Sequence, residues 1–225
     1  MTALSAREAY RLWAPTYADE TAISFLEAEL AADLTPPLDG LRLLDAGCGT
    51  GRRLRGCGAA FAVGVDLCPE MLDAGLGRAC AEPGLQTLVA DARRMPLPDR
   101  GFDVIWCRLV AGHLPDCAPL YAELARVADE GAWILVTDFH PAAAAAGHRR
   151  TFRSGGRTFE VEHHVHAVAD HLAAAGAAGL RLVARSAGVI GEEVRSFYAA
   201  AGRLELYAAH QGLPVVLALA FRRGG

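Results

Sequence analysis

Hydrophobic positions along this chain follow two rhythms. Between residues 5 and 34 they recur at helical steps. Ile23, Leu26, Leu30 and Leu34 follow one another at three- and four-residue intervals and mark one buried stripe. Two helices are expected over 5–34, and Thr35-Pro36-Pro37-Leu38-Asp39-Gly40 ends the second, because proline disfavours helix at the residue before it. Short apolar runs then occupy 41–46, 61–66, 86–90, 102–107 and 132–138, separated by helical or turn-rich stretches. Strands alternating with helices imply a doubly wound parallel sheet, in which ligands sit beyond the carboxyl ends of the strands. Asp45, Asp66, Asp91, Cys107 and Asp138 fall at those ends.

The pattern changes after His140-Pro141. Two extended pieces flank Gly155-Gly156 within 151–162, a good hairpin turn. A helix near 166–178, a strand near 180–186, a polar helical region over 190–210 and a last strand over 215–221 follow. One domain over 1–225 is expected: a helical cap over 1–36, a core over 41–140, an insertion with acceptor-side elements over 141–212, and a last strand and tail over 213–225. The hairpin is expected to fold over the carboxyl edge of the sheet.

Composition narrows the setting. The net charge is −4, and the chain has no lysine, so there is no broad basic field and a nucleic-acid partner is not expected. The six cysteines, Cys48, Cys57, Cys68, Cys80, Cys107 and Cys117, lack the spacing of a zinc or disulfide framework and read as reduced, mostly buried thiols. No apolar stretch approaches the roughly 20 residues of a membrane span. The acidic N-terminal region lacks a leader pattern, so cytoplasmic residence is expected.

Candidate chemistry concentrates in Leu43-Leu44-Asp45-Ala46-Gly47-Cys48-Gly49-Thr50-Gly51, an apolar strand running into alternate glycines. Glycine allows positive φ and close backbone approach to a ligand. The dinucleotide spacing G-x-G-x-x-G fails, since Arg52 or Leu54 stands where the third glycine belongs. The phosphate loop fails for want of any lysine. An acidic residue just before the loop would repel a pyrophosphate and suit an ammonium group. Only eight residues separate Gly51 from the next strand at about Ala60, so the helix between them should have one or two turns.

Asp45-Ala46-Gly47-Cys48-Gly49-Thr50-Gly51 resembles the first motif of class I S-adenosylmethionine-dependent methyltransferases, of the type 11-like kind. Val63-Gly64-Val65-Asp66-Leu67-Cys68-Pro69-Glu70-Met71-Leu72 resembles the second motif and Val89-Ala90-Asp91-Ala92-Arg93-Arg94-Met95-Pro96-Leu97-Pro98 the third. Phe102-Asp103-Val104-Ile105-Trp106-Cys107 with Gly112-His113-Leu114-Pro115-Asp116 resembles the fourth strand and its loop. The resemblance implies an α/β, mostly parallel seven-stranded sheet with helices on both faces, N-terminal helices and an insertion after the fifth strand. It implies S-adenosyl-L-methionine as cofactor and S-adenosyl-L-homocysteine as product.

It also assigns roles. Asp45, Ala46, Gly47 and Gly49 would hold the methionine half, with loop amides near the carboxylate and Asp45 favouring the ammonium directly or through water. Asp66 would accept from the ribose hydroxyls, or simply cap the helix after it. Leu67 and Met71 would pack on the adenine or serve as core. Asp91, Ala92 and Arg93 would surround the adenine edge, unless Asp91 instead pairs with Arg93 or Arg94. Cys107 and Arg108 would pass the sulfonium, the backbone mattering more than either side chain. Tyr10, Trp13 and Tyr17 resemble the aromatic element that covers the cofactor in many relatives.

The implied reaction moves a sulfonium methyl to an O, N or C nucleophile of a small-molecule metabolite by in-line displacement, with no metal. Positioning carries much of such a reaction. A hydroxyl or amine acceptor must lose a proton, and histidine is the natural base. His113 is the first candidate and His140 the second. His163, His164 and His166 invite a metal reading, but no fourth ligand is evident. The alternative is a protein that binds S-adenosylmethionine without transferring its methyl, as a regulator or assembly subunit. Neither the acceptor nor the oligomeric state is legible.

Overall fold

The computed structural model describes residues 3–75 and 83–224. Cys80 lies outside them, and the other five cysteines are free, with Cys68, Cys107 and Cys117 buried and Cys48 and Cys57 half-buried. In chain order the elements are β1 (Ala3–Leu4), α1 (Ala6–Trp13), α2 (Ala22–Leu34), β2 (Arg42–Ala46), β3 (Phe61–Asp66), α3 (Pro69–Gly75), β4 (Leu85–Val89), β5 (Phe102–Arg108) and α4 (Ala118–Val127). They continue with β6 (Ala128–Phe139), α5 (Pro141–Ala145), β7 (Thr151–Ser154), β8 (Arg157–Val161), α6 (Val168–Ala177), β9 (Leu180–Val189), α7 (Arg195–Ala200), α8 (Leu204–His210) and β10 (Pro214–Arg223).

Near-continuous apolar runs bury both faces of the central strands, as a parallel sheet requires. The main sheet has seven strands in the order β4-β3-β2-β5-β6-β10-β9. β10 alone runs antiparallel, pairing with β6 on one side and β9 on the other, while the remaining pairs are parallel. One face packs α4 and α6 through Tyr121, Leu124 and Ala175. On the other, Leu26 and Leu30 of the α2 stripe meet Val216 and Ala218. Capping boxes begin both N-terminal helices, Ser5 with Glu8 and Thr21 with Ser24.

The link from β2 to β3 departs from the expected short helix. Residues 52–56 form turns, with Gly56 and Gly58 at positive φ, where glycine avoids the Cβ clash. Leu54 from this turn, 1% exposed, plugs the sheet face beside Leu43 and Trp106. Without a full helix there, an open groove lined by Thr35, Leu38, Cys57 and Trp106 is left along that flank.

The hairpin and the N-terminus join in a way periodicity did not anticipate. β7 and β8 pair antiparallel, and β1 adds parallel to β8, with Ala3 opposite Glu160 and Leu4 opposite Val161. This second, three-stranded sheet has its own small core of Ala9, Phe152 and Val161, with Leu4, Trp13 and Phe159 against it. Two segments some 150 residues apart therefore form one cover over the carboxyl end of the main sheet.

Candidate functional site

The glycine loop follows from its dihedral angles. Gly47, Gly49 and Gly51 have φ of +88°, +59° and +65°, a region that L side chains rarely adopt. A Cβ on Gly47 would strike the Val110 side chain, and one on Gly49 would lie 3.1 Å from Met71. The amides of Gly47 and Cys48 donate to Val65 O at 2.7 and 2.9 Å, that of Gly49 to Asp66 Oδ2 at 2.8 Å, and that of Gly51 to Cys48 O at 2.9 Å. These amides hold the turn together, so the expectation that they face a ligand carboxylate needs correcting.

A cavity of about 290 Å³ opens beside the loop. Gly47, Gly49 and Asp66 form its floor, and Leu67, Met71, Asp91, Ala92 and Arg93 one wall. Tyr10, Tyr17, His113 and Arg150 complete the lining, the two tyrosine rings packing against Met71 and Cys68. Asp66 also accepts from the Cys68 amide at 2.8 Å, and burial raises its pKa above the usual carboxylate value despite these bonds. Leu67 is 47% exposed, whereas Met71 is buried against Ala14 and Cys68. Asp91 is already engaged: Arg93 donates to it from Nε at 3.0 Å and Nη2 at 2.6 Å, which holds the Asp91 carboxyl below its ordinary range.

Four expected residues stand away from the cavity wall. Asp45 is 2% exposed beneath the loop rather than at its lip, because β2 is buried on both faces to its end. Its Oδ1 has no partner, and burial pushes its pKa up to about 7. Ala46 and Cys107 are fully buried in the core behind the loop, and burial drives the Cys107 thiol upward. His140 caps α5, its Nδ1 accepting from the Ala142 amide at 3.1 Å, and so is not placed to act in the cavity.

The other histidines build rather than bind. His166 Nε2 lies 2.9 Å from Leu114 O and 3.2 Å from Ala111 O, and the His164 amide donates to Gly112 O at 2.7 Å. Both pin the turn that carries His113. His163 Nε2 and His171 Nε2 flank the buried Asp138 carboxylate at 3.8 and 3.4 Å, and their proximity holds Asp138 below the usual range. Among the described residues no three of His, Cys, Asp and Glu converge as a metal site.

His113 is the histidine that reaches the cavity. Arg150 Nη2 donates to Tyr10 Oη at 2.8 Å, and Tyr10 Oη lies 3.0 Å from His113 Nε2. His113 Nδ1 lies 3.5 Å from Glu162 O, a carbonyl that only accepts, so the ring proton sits on Nδ1 and Nε2 accepts from Tyr10 Oη. Burial first, then the nearby Arg150 charge, keeps His113 well below its usual pKa and therefore neutral. Behind the loop, Arg108 grips Glu27 with two bonds of 2.7 Å, Thr137 Oγ1 adds a third at 3.0 Å, and Arg53 Nη2 stands 3.2 Å away. Sequence reading missed Glu27, Val110 and Arg150. Glu27 carried a signal: it lies on the stripe between Ile23 and Leu30, where a carboxylate needs a buried partner. Arg150 carried none.

A loop of positive-φ glycines, a carboxylate closing the next strand and a further carboxylate after the third, around one cavity, define a nucleoside-cofactor site on a doubly wound sheet. Residues 44–136 match the family described as methyltransferase domain. Over that segment the chain is similar to the class I S-adenosylmethionine-dependent methyltransferases. It is 35% identical over 131 residues to a malonyl-[acyl-carrier protein] O-methyltransferase of Serratia marcescens, covering 57% of this chain and 48% of that one. It is 38% identical over 101 residues to a probable tocopherol O-methyltransferase of Oryza sativa subsp. japonica, covering 42% and 28%. The chain thus spans less than half the length of these curated relatives. The fold is shared with an S-adenosylmethionine-dependent methyltransferase from Mesorhizobium loti, at a TM-score of 0.69 and 22% identity over 90% of this chain and all of that one.

The residues present fit S-adenosylmethionine. The cradle at Gly47 and Gly49 is one that a Cβ would fill, the Asp66 carboxylate lines the cavity, and the Asp45 carboxyl leaves an orphaned Oδ1 beneath the loop. Among the described residues no helix is long and apolar enough to cross a membrane.

Proposed function

We propose that this chain transfers the methyl group of S-adenosylmethionine to an oxygen, nitrogen or carbon nucleophile of a small molecule. When bound, the cofactor supplies a sulfonium methyl already activated for in-line displacement. The chain supplies position, charge and a proton path. Gly47 and Gly49 let the backbone approach, Asp66 accepts from hydroxyls, and the Asp45 carboxyl sits beneath the loop as a buried polar group. Leu67 and Met71 offer an apolar surface, and the Ala92 and Arg93 edge borders it. Tyr10 and Tyr17 cover the cavity and exclude water.

The observation that carries the reading is the chain Arg150–Tyr10–His113 at the cavity wall. For an acceptor with an acidic proton, that proton passes to Tyr10 Oη as the Tyr10 proton moves to His113 Nε2. Arg150 stabilises the negative charge developing on the phenol oxygen. His113 thus serves as base through Tyr10, and its lowered pKa keeps Nε2 unprotonated at neutral pH.

Two measurements test this. Calorimetry should show S-adenosylhomocysteine binding and no comparable NADH binding; the reverse would refute the cofactor. With labelled cofactor and a metabolite extract, His113→Gln should lower transfer about 100-fold, whereas His140→Gln should leave it within about twofold and cost about 1 kcal/mol of stability as a lost cap. Wild-type transfer should hold below pH 6.5, because burial keeps the folded-state pKa of His113 under the unfolded value, and then fall as Nε2 takes up a proton. His113→Gln should lose that acid limb. An unchanged profile would remove His113 from the proton path.

A further inference from the structure

Arg150 is a half-buried cation of the cavity with no counter-charge among the described residues. It sits half-buried before β7, lines the cavity, donates from Nη1 to Leu109 O at 3.1 Å and from Nη2 to Tyr10 Oη, and forms no ion pair among the described residues. The other cationic groups of the inner wall are neutralised, Arg93 by Asp91 and Arg108 by Glu27. Burial raises the Tyr10 and Tyr17 hydroxyls and lowers His113, and the Arg150 charge opposes the first two shifts and adds to the third. A guanidinium taken partly out of water and given only neutral acceptors is under-compensated, and an anion is what completes it.

The sign of the loaded site points the same way. Asp66 is the one lining carboxylate without a cationic partner among the described residues, and Arg7 adds a further positive charge at the rim. S-adenosylmethionine itself carries a net positive charge. With it bound, the cavity is positive beside Tyr10 and His113, where the acceptor must present its nucleophile.

We propose that the acceptor is a small carboxylic acid whose carboxylate is anchored by Arg150, which holds its nucleophilic group toward Tyr10. This rests on the methyltransferase reading above. The anchor explains why the insertion contributes to the site: Arg150 couples the root of the hairpin to α1 and to the turn after β5 in one side chain. Its Nε–H and the outer edge of the guanidinium are free to take a carboxylate in a two-point grip.

The rival source of a carboxylate is the cofactor, since the loop amides are used within the fold, and the test separates the two. A metabolite extract is split on an anion exchanger at pH 7.5 into unretained and retained pools, and each is offered to the protein with methyl-labelled cofactor. Label should enter the retained pool. Arg150→Met should reduce that labelling about tenfold or more, raising the acceptor's KM through the lost charge-assisted pair and also lowering kcat through the lost support of the Tyr10 oxygen; an unchanged KM would overturn the anchor. Arg150→Lys, which restores charge without the fork, should recover part of it. Binding of S-adenosylhomocysteine and of 5′-methylthioadenosine, which lacks the amino-acid end, is measured on each variant. Near-equal affinities in wild type and Arg150→Met are expected.

Label confined to the unretained pool, or no labelling of the retained one, overturns the proposal. So does an Arg150→Met protein that loses S-adenosylhomocysteine affinity while keeping 5′-methylthioadenosine affinity, because the carboxylate would then be the cofactor's. If wild type fails to bind S-adenosylhomocysteine, the methyltransferase reading itself falls first. Unaltered 5′-methylthioadenosine binding also certifies that Arg150→Met is folded.

Discussion

The two walls of the cavity are built by different physics. The wall from β2 to β5 is made of strand ends in one parallel sheet, locked by buried polar bonds: Glu27 clamped by Arg108 and Thr137, and the loop amides spent on Val65 and Asp66. The wall from α1 and the hairpin is held by stacked rings. Tyr10 stacks on Trp13 at 5.8 Å, Trp13 on Phe152 at 5.0 Å and Phe152 on Phe159 at 5.4 Å. Directional bonds suit the wall that must present fixed angles to an unvarying cofactor. A small satellite core with few partners suits a cover that ligands must pass, since weakly buried units open at low free-energy cost.

The contrast can be broken from either side. Glu27→Gln removes one partner of a buried, doubly hydrogen-bonded pair and strands the Arg108 charge. It should cost about 3–5 kcal/mol of global stability, read by urea denaturation. A loss below about 1 kcal/mol would show that the flank does not depend on the pair. Phe152→Ala truncates the centre of the ring column and should cost about 3 kcal/mol, but locally. Amide exchange should accelerate over β1, β7 and β8 while β2, β3 and β5 keep their protection. Uniform acceleration would mean that the cover is not a separate unit.

The smallest effect sharpens one role. Asp91 and Arg93 are side-chain exposed by 32% and 43%, so Asp91→Asn should change stability by less than about 1 kcal/mol. Both carboxylate oxygens already face Arg93, so S-adenosylhomocysteine affinity should also drop by less than about tenfold, measured by calorimetry. A larger drop would mean that the ligand displaces Arg93 and claims the carboxylate.

Legibility followed locality. The strand runs at 61–66 and 102–107, the α2 stripe and the hairpin turn at Gly155-Gly156 are short-range patterns, and they emerged as β3, β5, α2 and the β7–β8 turn. The helix expected after Gly51 did not form, because Gly56 and Gly58 occupy left-handed conformations that end it before a turn is complete. Asp45 and Cys107 were placed near the ligand from their position at strand ends. Position in sequence does not tell which face a side chain takes, and both point into the core. His113 and His140 looked equivalent, each following a strand, until the turn Ala111–His113 swung one into the cavity and α5 took the other as its cap.

What the chain determined by itself is the parallel sheet and the glycine cradle, because alternate glycines, strand-length apolar runs and carboxylates at their ends act through the local backbone. What only tertiary structure decided is the other wall. Arg150, Tyr10 and His113 lie on three elements separated by up to 140 residues. Their hydrogen bonds exist because β1 adds to β8, and no local pattern encodes a pairing between the chain's beginning and its late insertion. The buried pair of Glu27 and Arg108 is of the same kind, a long-range contact stable only once both partners leave water together.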